Sequence, residues 1–447
     1  MQDEAKIRQE ALGYFQQLIR LKTINPPGNE VIATDFISSI LKKEGIEHQT
    51  VAPEPGRTSL VARLPAPKGS EGPLLLSSHL DVVPVEEDKW QVPPFEGKIA
   101  DGYLWGRGTI DMKHMAVYSL MTLLLVKRLG LKLNRDLIWA AVADEEAGCD
   151  KGSRYLVEEH PDLIRAEYAL NEVGGFTIYS GKKRFYPIQV AERGLVWFKI
   201  KAHGEAGHGS VPYGDSAVVK LAQAIQRLHE QFLPRHSHPV AEGFIRTLAG
   251  GLALPASLVL KMIARPYGDW LLKILPDRNT ARFFVATLHN TAAPTMLEGG
   301  QKVNVIPSEV AVVVDGRILP EQSPESFLTE VKNRIGPGYT LEILKTTDAN
   351  ETPISTPLFQ TLKSVLEERD PGSMAVPYLM TGFTDATYYQ KLGIKTYGFA
   401  PIRLPEGLVF TKLFHNHNER IPVEGFYWGL ETFFEAVRRF CEASTTA

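Results

Sequence analysis

Leu74-Leu75-Leu76-Ser77-Ser78-His79-Leu80-Asp81-Val82-Val83 is the stretch from which the fold can first be predicted. Its apolar run predicts a buried strand that delivers a histidine and, two residues later, an aspartate. Side chains two residues apart on a strand point the same way, so a carboxylate is expected beside the imidazole. A metal-ligating histidine needs such an acceptor to orient its second ring nitrogen. The stretch therefore predicts a metal site if further ligands lie elsewhere in the chain.

The composition is that of an ordinary globular protein. The chain has 447 residues, of which 44% are hydrophobic and 23% are charged, enough for two or three domains with a large core. Basic and acidic residues number 49 and 52, which gives a net charge of -3. This balance indicates neither a nucleic-acid partner nor an anionic membrane for the protein as a whole.

The cysteine content, the N-terminus and the longest apolar run indicate which cellular compartment to expect. Cys149 and Cys441 alone exclude a disulfide scaffold and a cysteine-rich zinc site, and they indicate a reducing cytoplasm. The polar, amphipathic N-terminus predicts no secretion signal. The longest uncharged apolar run, 247–260, has 14 residues, whereas a membrane span needs about 20. No membrane span is therefore expected.

The order of apolar periodicities predicts an α/β protein with an inserted domain. Helices at about 4–22, 31–44 and 114–130 alternate with strands at 59–64, 73–83, 137–143 and 166–171, which favours a largely parallel sheet. A half-solvated strand at 188–202 then opens a β-α-β-β-α-β series: helix 215–233, strands 281–290 and 308–319, a helix opened by Ser323, and strand 339–345. That series is typical of a ferredoxin-like domain.

Three segments follow from this order. Residues 1–187 and 351–447 are predicted to form the catalytic α/β domain, and 188–350 the inserted α+β domain. An extra apolar stretch at 235–280 interrupts the inserted domain. Helices packed on that domain are the favoured interpretation of the stretch, and a membrane or acyl-chain surface is the alternative.

Further acidic and histidine clusters follow predicted strands or precede helices: Asp111, Asp144-Glu145-Glu146, Asn171-Glu172 and His415-Asn416-His417-Asn418-Glu419. Ligands gather outside the carboxyl ends of strands in an α/β sheet, so distant clusters can meet there. Two histidines with three carboxylates and no thiolate suit two zinc ions that share a bridging carboxylate. The adjacent Glu145 and Glu146 are expected to divide their roles, one binding metal and the other moving protons.

At these positions the chain resembles the dizinc aminoacylase/carboxypeptidase metallopeptidases, which include glutamate carboxypeptidase, succinyl-diaminopimelate desuccinylase and acetylornithine deacetylase. The motifs that carry the resemblance are His79-x-Asp81, Gly108-Thr109-x-Asp111-Met112-Lys113, Asp144-Glu145-Glu146, Asn171-Glu172-x-Gly174-Gly175 and His415-x-x-Asn418-Glu419. It begins at Asn25-Pro26-Pro27-Gly28 and reaches the final helix. The stretch 235–280 resembles the carboxypeptidase S-like branch. The family implies a zinc-peptidase-like catalytic domain and an inserted ferredoxin-like lid that forms a homodimer.

The resemblance implies a ligand for each metal position. Asp111 would bridge two Zn²⁺ ions, for which Co²⁺ or Mn²⁺ can substitute. His79 and Glu172 would complete the coordination of one ion. Glu146 and His415 would complete that of the other.

The resemblance also implies roles beside the metals. Asp81 would orient the first ligand histidine, and Glu145 would act as general base and then as general acid. The peptide bond that follows Asp111 is expected to be cis. His417 could compete with His415 as the last ligand, because the family usually has glycine after the ligand histidine.

The inserted domain carries matches of its own. Ala206-Gly207-His208-Gly209-Ser210-Val211-Pro212 resembles a lid segment whose histidine reaches the scissile carbonyl, often across a dimer interface. Asn304-Val305-Ile306-Pro307 and Asp315-Gly316-Arg317 resemble segments whose asparagine and arginine hold the substrate's carboxylate, a task that suits a planar guanidinium. Gly382-Phe383-Thr384-Asp385-Ala386 resembles a loop that lines the cleft, where Gly382 would offer backbone donors.

The implied function is that of a dizinc hydrolase, a carboxypeptidase or an aminoacylase, that cleaves the amide of a peptide or N-acyl amino acid with a free carboxylate. A small-molecule or short-peptide substrate, a homodimer and a cytoplasmic location are expected. An aminopeptidase or a small-substrate deacetylase or desuccinylase would use the same metals. A non-catalytic binding protein of the same fold is the remaining alternative, although it would be expected to have lost ligands.

Overall fold

The computed structural model describes residues 2–67, 70–211 and 214–443, and the chain divides into two compact units. The larger unit comprises Met1–Val190, Thr352–Pro377 and Thr384–Ala447, and the smaller unit comprises Ala191–Glu351 and Tyr378–Phe383. We expected the corresponding boundaries after residues 187 and 350. The sequence did not indicate that Tyr378–Phe383 belongs with the smaller unit.

The helices in chain order are α1 Gln2–Arg20, α2 Val31–Lys43, α3 Lys113–Arg128, α4 Ser153–Glu159, α5 Pro161–Ile164, α6 Ala217–Glu230, α7 Pro239–Ala249, α8 Ala256–Ile263, α9 Asp269–Ile274, α10 Arg278–Leu288, α11 Pro324–Ile335, α12 Pro357–Arg369, α13 Ala386–Tyr389 and α14 Val423–Cys441. The strands are β1 His48–Val51, β2 Ser59–Leu64, β3 Glu71–His79, β4 Lys98–Ala100, β5 Tyr103–Trp105, β6 Arg135–Val142, β7 Tyr168–Asn171, β8 Ile178–Ser180, β9 Lys183–Glu192, β10 Gly194–His203, β11 Gly207–His208, β12 Thr291–Glu298, β13 Val305–Ile306, β14 Glu309–Ile318, β15 Tyr339–Thr347, β16 Asn350–Glu351, β17 Met374–Met380, β18 Lys395–Gly398 and β19 Arg420–Pro422.

The larger unit is built on a mixed sheet in the order β1-β2-β6-β3-β7-β18-β9. Its central strands β6, β3, β7 and β18 are parallel, whereas β2 and β9 join antiparallel at the two sides. The prediction of a parallel sheet is therefore right for the centre only. Helix α3 lies in the interior, since its residues 113–126 are all buried, as expected of a helix that is apolar on every side.

The smaller unit contains a four-stranded antiparallel sheet in the order β12-β14-β10-β15. Helices α6 and α11 pack on it, and Phe327 of α11 joins the core formed by alternate residues of the strands: Val196, Phe198, Ile200, Val312 and Val314. This is the strand order of a ferredoxin-like domain, as predicted. The single strand expected at 188–202 is two strands, because the chain leaves β9 and starts β10 around Arg193.

The strand predicted at 281–290 is wrong, because Arg278–Leu288 forms helix α10. Its buried residues include Ala281, Phe284 and Leu288, which follow helical spacing, and the Asp277 carboxylate caps the helix by accepting from the backbone N–H of Asn279. Aromatic and β-branched residues in this stretch favoured a strand locally. Helices α7 to α10 share a separate core cluster: Ala241, Ile245, Ile263, Ala264, Leu271, Leu272, Phe284 and Leu288.

Candidate metal centre

The predicted ligand clusters lie together at the carboxyl ends of the parallel strands. His79 is the last residue of β3, and Glu172 directly follows β7. Glu145 and Glu146 lie in a short 3₁₀ turn, Glu145–Ala147, just after β6. Because the turn is tight, the two neighbouring glutamates can both face the same cluster, which a continued strand would forbid.

Asp111 lies between two histidines. Its Oδ1 is 3.0 Å from Nε2 of His79, and its Oδ2 is 3.1 Å from Nε2 of His415. Glu172 completes the first group, with Oε2 at 3.8 Å from His79 Nε2. Glu146 completes the second, with Oε2 at 2.9 Å from His415 Nε2. The two oxygens of one carboxylate thus face two separate groups of donors.

These donors fit a pair of divalent cations. Oε1 of Glu146 and Oε1 of Glu172 are buried and have no hydrogen-bond partner among the described residues. Buried carboxylate oxygens are normally paired, so both oxygens fit the role of cation ligands. Burial, together with the Asp111 charge, raises the pKa of Glu146 to about 7, and burial likewise raises the pKa of Glu172. Imidazole and carboxylate ligands without thiolate suit zinc.

Glu145 lies next to this cluster. One of its carboxylate oxygens lies within 4.8 Å of donor atoms of both His79 and Glu172. Burial and the Glu172 charge raise its pKa well above the usual value for a glutamate. The side chain is half-buried, whereas Glu172 is fully buried. Glu145 is therefore a carboxyl group that can hold a proton beside the candidate metal ligands.

The segment 415–419 contains two histidines, and only the first joins the cluster. His415 contacts Asp111 and Glu146, whereas Nε2 of His417 lies 3.4 Å from Oε2 of the exposed Glu86. His415 has a positive φ of 56°, which turns the chain at this point. The arrangement favours His415 over His417 as the candidate ligand.

Asp81 lies next to His79 through both its main chain and its side chain. Nδ1 of His79 is 3.0 Å from the backbone carbonyl oxygen of Asp81 and 3.5 Å from its Oδ1. The carboxylate also accepts the backbone N–H groups of Glu145 and Glu146, both at 3.2 Å. Asp81 as the residue that orients His79 stays a prediction, and its side chain in addition holds the turn that carries both glutamates.

A buried network that sequence reasoning missed supports Asp81. The Asn25 amide donates to Asp81 Oδ2 at 2.8 Å and to Asp144 Oδ1 at 3.0 Å. Arg57 donates to the same oxygen of Asp144 at 2.6 Å and to both oxygens of Glu30 at 2.8 and 2.9 Å. The only signal in the sequence was the fixed turn around Asn25-Pro26-Pro27-Gly28, which gave no hint of these partners.

Gly28 allows Arg57 to reach this network. It has a φ of +83°, and a Cβ built on it would lie 2.3 Å from Cζ of Arg57. Any other residue would both strain the left-handed backbone and displace the guanidinium. The glycine of the turn is therefore required by the arginine that lies against it.

Glu419 holds the glycine-rich loop that carries Asp111. Its fully buried carboxylate accepts Nη1 of Arg107 at 2.7 Å and the backbone N–H groups of Gly108, Ile110 and Asp111 at 3.1, 2.7 and 3.1 Å. The peptide bond between Asp111 and Met112 is cis, as the resemblance implied. Glu419 belongs to the motif His415-x-x-Asn418-Glu419, but the sequence did not predict that it holds the loop of Asp111.

In the smaller unit, the structure brings His208 and Asn304 together. Strands β11 and β13 pair His208 with Val305, and the backbone N–H of Gly209 donates to the Asn304 carbonyl at 2.9 Å. The backbone N–H of Ser210 donates to Nδ1 of His208 at 3.2 Å, so a neutral His208 carries its proton on Nε2. Pro212 of the same motif lies outside the described residues.

Arg317 belongs to another part of that unit. Asp315 binds its Nε and Nη2 at 2.7 and 3.1 Å, and its guanidinium lies 5.4 Å from the ring centre of Phe383. The carbonyl of Gly382 accepts the backbone N–H of Arg193 at 3.2 Å. Gly382 is thus held by main-chain contact at the start of β10.

The strand register separates Arg317 from the other two candidates. Arg317 pairs with Leu195 at one end of β14, and Glu309 pairs with His203 at the other end. Eight residues of strand span about 26 Å. Asn304 shortly precedes Glu309 and His208 shortly follows His203, so both lie near that end, and the structure does not bring Arg317 together with them, as one joint carboxylate anchor would require.

Known proteins resemble this chain in sequence and in fold. Residues 75–439 match the sequence model of peptidase family M20/M25/M40. The chain is 28% identical over 450 residues to N-fatty-acyl-amino acid synthase/hydrolase PM20D1 of Bos taurus, covering 96% of this chain and 82% of the relative. It is 26% identical over 434 residues to aminoacylase-1 of Sus scrofa, covering 94% and 92%. An M20 family metallo-carboxypeptidase from Sulfolobus solfataricus has the same fold, with a TM-score of 0.70, 16% identity and coverage of 96% and 98%.

Replacing Arg57 by methionine should destabilise the larger unit by about 3–5 kcal/mol near neutral pH, because Glu30 and Asp144 lose their buried cation. Burial already raises the pKa of Glu30, and Arg57 opposes that effect. A carboxyl whose folded pKa is raised destabilises the fold above that pKa and is relieved as the pH falls. The loss should therefore shrink when the pH is lowered from neutral to mildly acidic, as measured by urea unfolding at both pH values.

Arg63→Met is the matched control for this experiment. Arg63 also pairs with an aspartate, Asp136 at 2.8 Å, but its side chain is 37% exposed. Its replacement should change the free energy of unfolding by about 1 kcal/mol or less at either pH. Equal losses for the two variants would contradict the importance of the buried network.

Proposed function

Because the chain belongs to peptidase family M20/M25/M40, we propose that it is a dizinc hydrolase that cleaves the amide bond of an N-acyl amino acid or short peptide with a free carboxylate. Hydrolysis of peptide or acyl-amino-acid amides is the activity class of its relatives. The position of Asp111 between two groups of donors carries the finer proposal. An aminopeptidase or a small-substrate deacetylase would use the same donors. These activities are therefore distinguished by the substrates that the protein cleaves.

The five donors divide into two sets that share Asp111. His79 and Glu172 would hold one cation, and Glu146 and His415 the other. Two divalent cations bound here would polarise the amide carbonyl and acidify the attacking water. Members of this family generally bind two metal ions, and the absence of thiolates from the set supports zinc.

Glu145 is proposed as the general base and then the general acid. Its carboxylate takes a proton from the attacking water as the new C–O bond forms at the carbonyl carbon. It then delivers that proton to the amide nitrogen as the C–N bond breaks, so that a carboxylic acid and an amine leave. The raised pKa of Glu145, caused first by burial, supports a group that can hold the proton between the two steps.

Substrate recognition is proposed for residues of the smaller unit. Asp315 occupies two of the five N–H donors of Arg317, so the remaining edge of the guanidinium would meet the substrate's carboxylate. His208, with its proton on Nε2, would donate to the scissile carbonyl oxygen, and Asn304 beside it would assist. Gly382 would line the same cleft through its backbone.

Two copies of the chain are proposed to complete each site. Within one chain, Arg317 lies at the end of β14 opposite to the segment that holds His208 and Asn304. Both sets could meet one substrate if the second set came from another copy, which supports a homodimer through the smaller unit. The two cysteines, both free and buried, support a reducing, cytoplasmic location for that assembly.

Glu145→Gln should retain both metal ions and lower kcat by about 10²- to 10⁴-fold, because the amide cannot move the proton. The measurements are metal content after dialysis and hydrolysis of N-acyl amino acids with added zinc. Glu159→Gln, an exposed glutamate at the end of α4, is the matched control and should behave as wild type. A near-normal rate, or loss of metal from the Glu145 variant, would show that its role is wrongly assigned.

The requirement for a free carboxylate can be measured with two substrates that differ only in whether that carboxylate is free or amidated. An N-acyl amino acid should be cleaved with kcat/KM about 10- to 100-fold above that of its C-terminal amide, since a charge-assisted hydrogen bond is lost. Arg317→Ala should abolish most of this preference, whereas Arg282→Ala, an exposed arginine of the same unit, should keep it. Preference for substrates with a free amine would instead identify an aminopeptidase.

Sharing of sites between copies can be tested by mixing two inactive variants. Glu145→Gln and His208→Ala chains, unfolded together and refolded, should regain on the order of a quarter of wild-type activity, because half of the dimers pair unlike chains and each has one intact site. Either variant refolded alone should stay inactive. Failure of the mixture to regain activity would exclude a shared site while leaving the Glu145 assignment intact.

A further inference from the structure

Helices α8 and α9 of the smaller unit leave a large apolar surface uncovered. Their inner residues Ile263, Leu271 and Leu272 belong to the core cluster of α7 to α10. Large apolar side chains on the outside of these helices, just before α8 and in the α8–α9 connection are at least half exposed: Leu254 at 78%, Leu258 at 53%, Tyr267 at 68%, Trp270 at 53% and Ile274 at 62%. We call these five side chains the α8–α9 surface.

The chemistry of this surface is that of an interfacial contact. Trp270 and Tyr267 are the one tryptophan and the one tyrosine among the exposed large hydrophobic residues of the described chain. Both rings combine an apolar body with a polar edge, the property that enriches them at membrane–water interfaces. On α9, Trp270 and Ile274 are four residues apart and so lie on the same face of the helix.

The charges around the α8–α9 surface are mainly positive. Residues 250–282 carry five basic and two acidic side chains, although the whole chain has a net charge of -3. Asp269 is paired with Arg235 at 2.7 Å, and Asp277 caps α10. The basic side chains are exposed: Lys261, Arg265, Lys273, Arg278 and Arg282. The net charge of the whole chain therefore does not reveal the local excess of basic side chains beside these exposed apolar groups.

This combination selects one kind of partner. Exposed leucine, isoleucine and tryptophan side chains interleaved with lysine and arginine complement an anionic lipid surface, where apolar groups enter the acyl boundary and cations meet the headgroups. No described helix is long and apolar enough to cross a membrane. The contact would thus lie on the surface of the bilayer.

We propose that the α8–α9 surface binds anionic lipid bilayers and holds the protein at the membrane interface. Trp270, Tyr267 and Leu258 enter to the depth of the headgroups, and Lys261 and Arg265 pair with lipid phosphates. Binding of a bilayer at this surface does not depend on the reaction proposed above.

Co-sedimentation with vesicles tests this proposal. The full chain should sediment with vesicles of phosphatidylcholine and phosphatidylglycerol, remain in solution with phosphatidylcholine alone, and be released by high salt. The double variants Leu258→Ser/Trp270→Ser and Lys261→Glu/Arg265→Glu should each reduce the bound fraction at least about tenfold. All four positions are exposed, so the variants should fold, which circular dichroism and catalytic activity on a soluble substrate will check.

Leu129→Ser is the matched control, since Leu129 is 60% exposed on the larger unit. It should bind the anionic vesicles as wild type does. Absence of binding to anionic vesicles, equal binding to both vesicle types, or wild-type binding by the two double variants would overturn the proposal. A change of oligomeric state in those variants by light scattering, with no vesicle binding by wild type, would assign the surface to a second copy of the chain instead.

Discussion

Repulsion among buried carboxylates constrains the whole carboxyl edge of the larger unit's sheet. Asp81 and Asp144 share one amide, that of Asn25, and Arg57 neutralises Asp144 and Glu30 together. A buried charge left without a partner costs several kcal/mol, so each carboxylate here requires a donor or a cation. The geometry of the turn that bears the glutamates follows from that requirement, because Asp81 accepts its backbone N–H groups.

The same constraint governs the candidate ligands. Burial lowers the pKa of His79, but its hydrogen bonds to Asp111 and Asp81 outweigh that effect and raise it overall. Hydrogen bonds to Asp111 and Glu146 raise the pKa of His415 to about 10. Imidazole and carboxylate groups bind a divalent cation in their unprotonated forms, so the affinity of this cluster for metal should fall as the pH is lowered.

Sequence reasoning succeeded where chemistry is concentrated in short motifs. His79, Asp111, Glu146 and Glu172 each lie at the end of a strand or just before a helix, so the sheet rule already indicated that they can meet. It failed for Asn25 and Arg57, since their shared partner Asp144 lies 119 and 87 residues away from them, respectively, and no local pattern encodes such pairs. It also failed for α10, because aromatic residues favour strands until tertiary packing selects the helical face.

Helices α7 to α10 form their own apolar cluster, distinct from the one that α6 and α11 build on the four-stranded sheet. The buried residues of α7 to α10, rather than their exposed residues, therefore stabilise this part of the fold. Substitutions on the outer sides of α8 and α9 remove few buried contacts and should cost little stability. The chemistry of that exterior can therefore change by substitution without loss of the apolar cluster beneath it.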